Sequence, residues 1–287
     1  SGARLGRTFE SFEARWFRMH PSGYGLVPTG NAQVEIQDRI RDICLTIDPA
    51  DWFPLEAPIR SVVRVDITGR ARAAYDDMEK AMFLEIEESA VEAMNAASKV
   101  MKCLQLANGA IYTEENVWKE THDAKIEALA DIIEEANGMP VLVAYQFKHD
   151  LARLLKAFPK GRALATEKDE DDFKAGKIPV LFAHPSSAGH GIDGFQYVTN
   201  IIAFFGHWWD LETRQQIIER IGPVRQAQAG MNRPVFIYDI VATDTVDELV
   251  MARHETKREV QDLLLDALNT HRNSKRRKII RPIENFS

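Results

Sequence analysis

The sequence predicts an α/β protein: a parallel sheet with helices on both faces, preceded by a helical N-terminal segment and followed by a C-terminal helix. Three observations predict it. The runs VLVAYQF (141–147), IPVLFAH (178–184), NIIAFF (200–205) and RPVFIYDIV (233–241) are apolar almost throughout, as in strands buried on both faces. Segments with apolar residues at helical spacing lie between or after them, which is the order of strand, crossover helix and parallel strand. With 287 residues, of which 45% are hydrophobic, the chain is also large enough to bury such a core.

The elements follow in order. RLGRTFESFEARWF (4–17) places Phe9, Phe12, Trp16 and Phe17 near one helical face. Residues 20–31 are rich in Gly, Pro and Ser and read as a loop. Helical spacing returns over 34–47 through Ile36, Ile40, Ile43 and Cys44, and Pro49 ends it. The proline-punctuated stretch 51–60 gives way to SVVRVDIT (61–68), whose alternation reads as a strand. A long helical region spans 69–108, and its acidic cluster Glu85, Glu87 and Glu88 points to different sides of a helix, as a solvated face does. HDAKIEALADIIEEANG (122–138) has Ile126, Leu129, Ile132 and Ile133 at core spacing, with Gly138 as its stop and Pro140 opening the next strand. KHDLARLLKAF (148–158) is helical, 162–166 is a short strand, and EKDEDDFKAG (167–176) is a charged segment. An amphipathic helix over 244–268, begun by Thr243 or Asp244, precedes a tail (271–287) with six basic residues and one acidic. That tail reads equally as a contact to DNA phosphates or as a solubilising end.

Charge and cysteine content narrow the class. A formal charge of −7 excludes a uniformly basic nucleic-acid coat, so any DNA contact comes from local patches. Cys44 and Cys103 are the only cysteines, both in apolar helical contexts, the pattern of buried thiols in a reducing compartment. Neither zinc spacing, nor a signal-peptide pattern, nor an apolar run long enough to span a bilayer occurs, and a cytoplasmic protein is expected.

The chemistry centres on QIIERIGPVRQAQ (216–228). Leu211, Ile217, Ile218 and Ile221 share a helical face until Gly222-Pro223 stops the helix, so Arg220 falls in its last turn and Arg225 follows the break. A guanidinium carries a permanent charge and a fork of donors matched to phosphate oxygens, and two at a strand-helix exit suit a transferring γ-phosphoryl group. On residue type alone, a helix-end charge and a surface charge explain them as well.

The neighbouring segments carry a resemblance. VLVAYQF, AHPSSAGHGID (183–193), HWWD (207–210) and the arginine-bearing stretch follow one another as in the C-terminal helicase lobe of the Swi/Snf-type DNA-dependent ATPases of helicase superfamily two. In detail the chain looks most like phage and prophage members. The match rests on Gln146 and Phe147 for the family's Ser-Gln-Phe strand end, Gly189 and Gly191 for its glycine-rich loop, and Trp209 for its Trp-Asn turn. Gln216, Arg220, Arg225 and Gln228 match its Gln-x-x-x-Arg-x-x-Arg-x-Gly-Gln helix. Asp193 and Asp210 stand where the family has Asn, His184 where it usually has Ser, and two extra residues separate the arginines.

The resemblance implies a RecA-like fold, with residues 1–61 as the end of a first lobe and its linker, 62–270 as the C-terminal lobe and 271–287 as a basic tail. It implies Arg220 and Arg225 as catalytic arginines, and Gly189, Gly191, Asp193, Gln216 and Gln228 as nucleotide-facing residues. Gln146, Phe147, Ser186 and Ser187 would face DNA, the implied partner being duplex DNA. ATP and Mg would be held mainly by an N-terminal lobe of the same polypeptide. No G-x-x-x-x-G-K-[ST] loop occurs, and Asp247-Glu248 lies in a helix pattern rather than after a strand, so this chain alone is expected to be inactive.

Other readings are weaker on the residues. Gly189 to Gly194 formally matches a dinucleotide fingerprint, yet Phe195-Gln196-Tyr197 leads straight into the next strand instead of opening a helix. Ser186 is in no G-x-S-x-G elbow, and His184, His190 and His207 lack metal-ligand spacing, which leaves them as hydrogen-bonding loop residues. Ser186 and Ser187 would serve equally as helix caps. Trp208 and Trp209 are placed to stack on a base, as in single-strand binders, but the resemblance favours Trp209 as a lobe-packing residue, with Asp210 capping the arginine-bearing helix. A non-catalytic DNA- or protein-binding module and a Rossmann-type enzyme are the alternatives. A Walker loop upstream would separate the first, and cofactor titration the second.

Overall fold

In the computed structural model, residues 4–19, 26–40, 42, 55–88, 93–188, 193–231 and 233–256 are described. The chain divides into two compact units, Ser1–Pro54 and Leu55–Ser287. In the first, the Thr8 hydroxyl accepts from Ser11 N at 3.2 Å and the Ser11 hydroxyl accepts from Thr8 N at 3.1 Å, a reciprocal cap that starts helix α1 (Phe9–Trp16). Trp16 is buried at its end, with the Arg15 and Arg39 guanidinium groups 4.9 and 5.5 Å from its ring. Phe17, expected in the helix, opens β1 (Phe17–Met19), which pairs antiparallel with β2 (Leu26–Pro28) inside the stretch expected to be loop. Helix α2 (Ala32–Ile40) follows, and Cys44 lies outside the described residues.

The second unit carries the expected sheet. Its six strands are β3 (Ile59–Val65), β6 (Val141–Ala144), β7 (Arg162–Ala163), β8 (Val180–Ala183), β9 (Ile201–Phe204) and β10 (Phe236–Ala242). They stand in the order β3-β10-β9-β6-β8-β7, every pairing parallel. The period of two explains why the central strands are apolar throughout. Leu142, Ala144, Ile202, Phe204 and Ile237 enter one core cluster, while Val141, Val143, Ala203 and Ile240 enter another. The first face is covered by α7 (Glu167–Lys174), a 3₁₀ turn (Phe195–Tyr197) and α9 (Leu211–Glu219), through Phe173, Phe195, Ile217 and Ile218. The second is covered by α5 (Ala124–Glu135) and α6 (Lys148–Ala157), through Leu129, Ile132 and Leu154.

At the β3 end, α3 (Gly69–Glu88) and α4 (Ala93–Ala107) replace the single long helical region and pack with α11 (Val246–Thr256) around Tyr75, Met82 and Leu104. The Tyr75 hydroxyl accepts from Val246 N at 2.7 Å and fixes the start of α11. The Cys103 thiol is buried here, and its pKa is pushed up to about 12 by desolvation. The cap of α11 is Thr245 rather than Thr243 or Asp244, for its hydroxyl accepts from Asp247 N at 3.2 Å while Asp244 turns at φ 53°. The remainder of the expected helix and the basic tail lie outside the described residues.

Three further features depart from the expectations. The boundary placed near Val62 falls within β3, whose Ile59, Arg60 and Ser61 already pair with Phe236, Ile237 and Tyr238. A hairpin, β4 (Ala110–Glu114) with β5 (Val117–Glu120), follows α4 and turns at Asn116, φ 58°. The charged segment is α7 itself, started by Thr166, whose hydroxyl accepts from Asp169 N at 3.3 Å.

One buried polar network joins six elements of this unit, at their ends or within them: α4, α5, α6, α11, β9 and β10. Lys125 Nζ lies 2.6 Å from the Asp247 carboxylate, both side chains 0% exposed, and donates to Asn108 Oδ1 at 2.8 Å and the Phe205 carbonyl at 3.3 Å. Asn108 Nδ2 donates to Asp150 at 2.9 Å, and Asp247 accepts from Ala242 N at 3.0 Å. Among the described residues, no helix is long and apolar enough to cross a membrane.

Burial also keeps three histidines neutral: His122, His207 and His254 are all held below the ordinary 6.5, His254 at about 4. The unfolded chain therefore binds more protons than the fold once pH drops below 6.5, and stability is lost from there down to about 4. The half-buried Glu79 carboxyl, raised by desolvation, opposes this in part. Thermal melting at fixed ionic strength should show a midpoint that falls from pH 6.5 to pH 4.5, because each tenfold difference in proton affinity between the folded and unfolded chain is worth about 1.4 kcal/mol. A midpoint that stays level or rises over that range contradicts it.

Candidate nucleotide and nucleic-acid site

The strands run parallel, so their carboxyl ends share one edge, and the loops after β6, β8 and β9 meet there. The connections from β6 lead to β7 and β8 on one side while β9 and β10 lie on the other, which makes the β6/β9 boundary the switch point of the sheet. That crevice is tight. Phe205 N donates to the Ala144 carbonyl at 2.9 Å, and a Cβ on Gly206 would stand 3.0 Å from Asn108 Nδ2 and 3.1 Å from Gln146 N. Only glycine fits without displacing those groups.

After β6, the Asp150 carboxylate at the start of α6 accepts from Phe147 N at 2.9 Å and Gln146 N at 3.3 Å, and the helix N-terminus favours that charge. Gln146 is half-buried. Phe147 is only 8% exposed, its ring packed in the core and stacked 5.0 Å from His149, so the ring offers no face to a ligand and the residue acts through its backbone. After β8 comes α8 (Pro185–Ala188) with Ser186 and Ser187 exposed on it. His184 joins the two loops: Nε2 donates to the Gln146 carbonyl at 3.0 Å, so Nδ1 is left to accept from the Ser186 hydroxyl at 2.7 Å. Gly189, His190 and Gly191 lie outside the described residues.

After β9, His207 is buried and donates from Nε2 to the Ile240 carbonyl at 2.8 Å. Trp208 packs 5.7 Å from Phe204, and Trp209 rests half-buried against the α3/α4/α11 core. Both are anchored by α11, His254 to the Trp208 carbonyl at 2.8 Å and Arg253 to the Trp209 carbonyl at 2.9 Å. Asp210 caps α9 as the sequence suggests, accepting from Glu212 N at 2.9 Å, and its carboxyl is held below the usual range by the Thr213 hydroxyl.

Helix α9 ends at Glu219 with Arg220 as its C-cap, and Gly222 with Pro223 begins α10 (Pro223–Gln228), so the break between the arginines is a true helix break. Arg220 is half-buried. Arg225 Nη1 lies 2.6 Å from Asp193 Oδ1, which also accepts from Gln196 Nε2 at 3.0 Å. Gln216 reaches back to Glu212 at 3.4 Å, and Gln228 is exposed at the end of α10. The glutamine that fastens this region is instead Gln226, buried, donating to the Thr199 and Ile221 carbonyls at 2.9 and 3.0 Å and accepting from Arg233 at 3.0 Å.

Arg214 is a further residue of this region that sequence pattern does not single out. It is 2% exposed, donates from Nη2 to both oxygens of Asp239 on β10 at 2.7 and 2.9 Å, and its guanidinium sits 3.8 Å from the centre of the Phe204 ring. The only signal is a charge in the apolar run RPVFIYDIV, because a carboxylate in a strand buried on both faces requires a cation. Among the described residues, no group of three or more His, Cys, Asp or Glu is gathered to hold a metal ion.

No family model matches the chain. Solved structures match its backbone. The C-terminal part of the Fun30 ATPase domain aligns at a TM-score of 0.54 and 13% identity, covering 77% of this chain and 99% of that one. This is the fold of a Swi/Snf-type helicase C-terminal lobe. The Swi/Snf-type lobe is met again in the Sulfolobus solfataricus SWI2/SNF2 ATPase C-terminal domain, at a TM-score of 0.51 and 17% identity over 70% of this chain and 86% of that one. The S. solfataricus SWI2/SNF2 ATPase core in complex with dsDNA aligns at 0.53 and 18% identity, covering 89% of this chain and 55% of that one. In sequence, protein p41 of Acyrthosiphon pisum secondary endosymbiont phage 1 is 56% identical over 273 residues, 93% of this chain. The chain spans 59% of that relative's length.

Arg214 ties the arginine-bearing helix α9 to the sheet, and its removal leaves Asp239 buried without a partner. Arg214→Ala should destabilise the lobe by about 3–5 kcal/mol, read by urea unfolding. A loss below about 1 kcal/mol, the size for an exposed pair, would show that the pair is not buried as described.

Proposed function

We propose that this chain is the C-terminal lobe of a cytoplasmic, ATP-dependent DNA translocase. Its site is completed by an N-terminal lobe of the same polypeptide, which holds ATP and Mg. The observation that carries the reading is the placement of two arginines on either side of a helix break, in a lobe of Swi/Snf-type fold. The greater length of the phage relative is compatible with a further lobe. The S. solfataricus ATPase core in complex with dsDNA supports duplex DNA as the partner.

In this reading Arg220 and Arg225 stabilise charge on the transferring phosphoryl group, each as a preorganised fork of donors. Gly189, Gly191, Asp193, Gln216 and Gln228 face the nucleotide. Gln146, the backbone at Phe147, Ser186 and Ser187 face the DNA backbone, with His184 coupling the loops after β6 and β8. Mg supplies neutralisation of phosphate charge when bound, and its ligands belong to the other lobe. This chain's residues orient and stabilise the phosphoryl group. They cannot cradle the triphosphate by themselves, since no Walker loop is present in the sequence.

The test is Arg220→Ala in the full-length protein. DNA-stimulated turnover should fall by about 10³–10⁵, with stability changed by no more than about 0.3–1 kcal/mol. A variant that unfolds early, or hydrolyses ATP at the normal rate, defeats the assignment.

A further inference from the structure

The loop after β8 and helix α10 are separate segments, and among the described residues an ion pair joins Asp193 of the one to Arg225 of the other. Arg225 Nη1 lies 2.6 Å from Asp193 Oδ1, with the side chains 36% and 63% exposed. The acceptor is preorganised: Asp193 Oδ1 also receives Gln196 Nε2 at 3.0 Å, and Gln196 Oε1 accepts from Gly194 N at 3.0 Å. Its carboxyl is held below the usual range, first by the Gln196 hydrogen bond and then by the Gly194 backbone and the Arg225 charge, so it is ionised at neutral pH.

We propose that Asp193 is the resident counter-ion of Arg225, holding its guanidinium at the mouth of the site until a polyphosphate takes it over. This rests on the reading of Arg225 as a phosphate-facing group and names how that group is controlled. Three physical points support it. The pair is solvent-exposed and therefore weak, so an anion of higher charge displaces the carboxylate at small cost. Asp193 keeps its Gln196 bond when Arg225 leaves, so neither state orphans a polar group. A carboxylate and a phosphate on one guanidinium would also place like charges together, which favours exchange over sharing. Asp193 is thus a positioning residue that acts through Arg225.

The consequence is a split between kinetic constants. Breaking the pair is a toll on the free protein alone, lifted equally for the ground-state complex and the transition state, so removing it lowers KM more than it moves kcat. In the full-length protein, Asp193→Asn should lower KM for ATP by about two- to five-fold at low ionic strength, the range of an exposed ion pair, and less at high salt. In an Arg225→Ala background the same substitution should lower KM by clearly less, because only the part that acts through Arg225 is gone. A second readout needs no turnover. In the 287-residue chain the Asp193 carboxyl, followed by NMR through pH, should titrate lower with Arg225 present than in Arg225→Ala.

A rise in KM on Asp193→Asn, an effect of equal size in the Arg225→Ala background, or an Asp193 titration indifferent to Arg225 would each overturn the proposal. The functional reading fails separately, through normal turnover in Arg220→Ala.

Discussion

The lysine at position 125 is buried in the first turn of a helix, where the macrodipole disfavours a cation, and the second unit is arranged around satisfying it. Asp247 supplies the countercharge from α11, Asn108 an acceptor from the end of α4, and Phe205 a carbonyl from the end of β9. Removing one partner from such a pair costs about 3–5 kcal/mol, because the other charge is left without compensation. The groups involved come from positions spread over 139 residues, from Asn108 to Asp247, so the network can close only when the whole unit is assembled. Asn108 passes the constraint on to Asp150, and Asp150 holds the backbone of Gln146 and Phe147.

This gives the carboxyl edge of the sheet its shape. The loop after β6 is held by Asp150, and the turn after β9 by Arg253 and His254 of α11, while His184 bridges from the loop after β8. Gly109 belongs to the same arrangement, since at φ 94° it leaves room for the His122 carbonyl and for Arg153, which binds the Asn108 and His122 carbonyls. The arginine-bearing helix is fixed independently, by Arg214 on Asp239. Such supports suit the proposed role of the arginines, because donors that meet a developing charge must already be aimed.

The sheet and its covering helices are legible in the sequence because burial on both faces leaves uninterrupted apolar runs, and the helix break at Gly222-Pro223 is legible because both residues have narrow backbone preferences. The hairpin of β4 and β5 is not, since its strands are short, half-exposed and polar, with Asn116 rather than glycine in the left-handed turn. The start of the unit falls a few residues earlier than the pattern suggests because β3 is an edge strand whose first residues are exposed and look like linker. Of the candidate site, pattern and resemblance name Arg220, Arg225 and Asp193, whose roles stay proposals, and also the Asp210 cap, which the structure has. Arg214, Lys125 and Gln226 cannot, for each is a polar residue whose role exists only through a partner far away in sequence. At Phe147 the motif position is visible in the sequence but the burial of its ring is not, which leaves its backbone for any contact.

The proposed function requires the arginine side of the helix break to face a phosphoryl group held by another lobe. The direct measurement is a structure of the full-length protein on duplex DNA with ADP and a planar phosphoryl analogue. The account predicts Arg220 donors within about 2.7–3.1 Å of the analogue's oxygens, with the loops after β6 and β8 against the DNA backbone. An Arg220 directed away from the nucleotide, or a duplex bound elsewhere on the lobe, would contradict it.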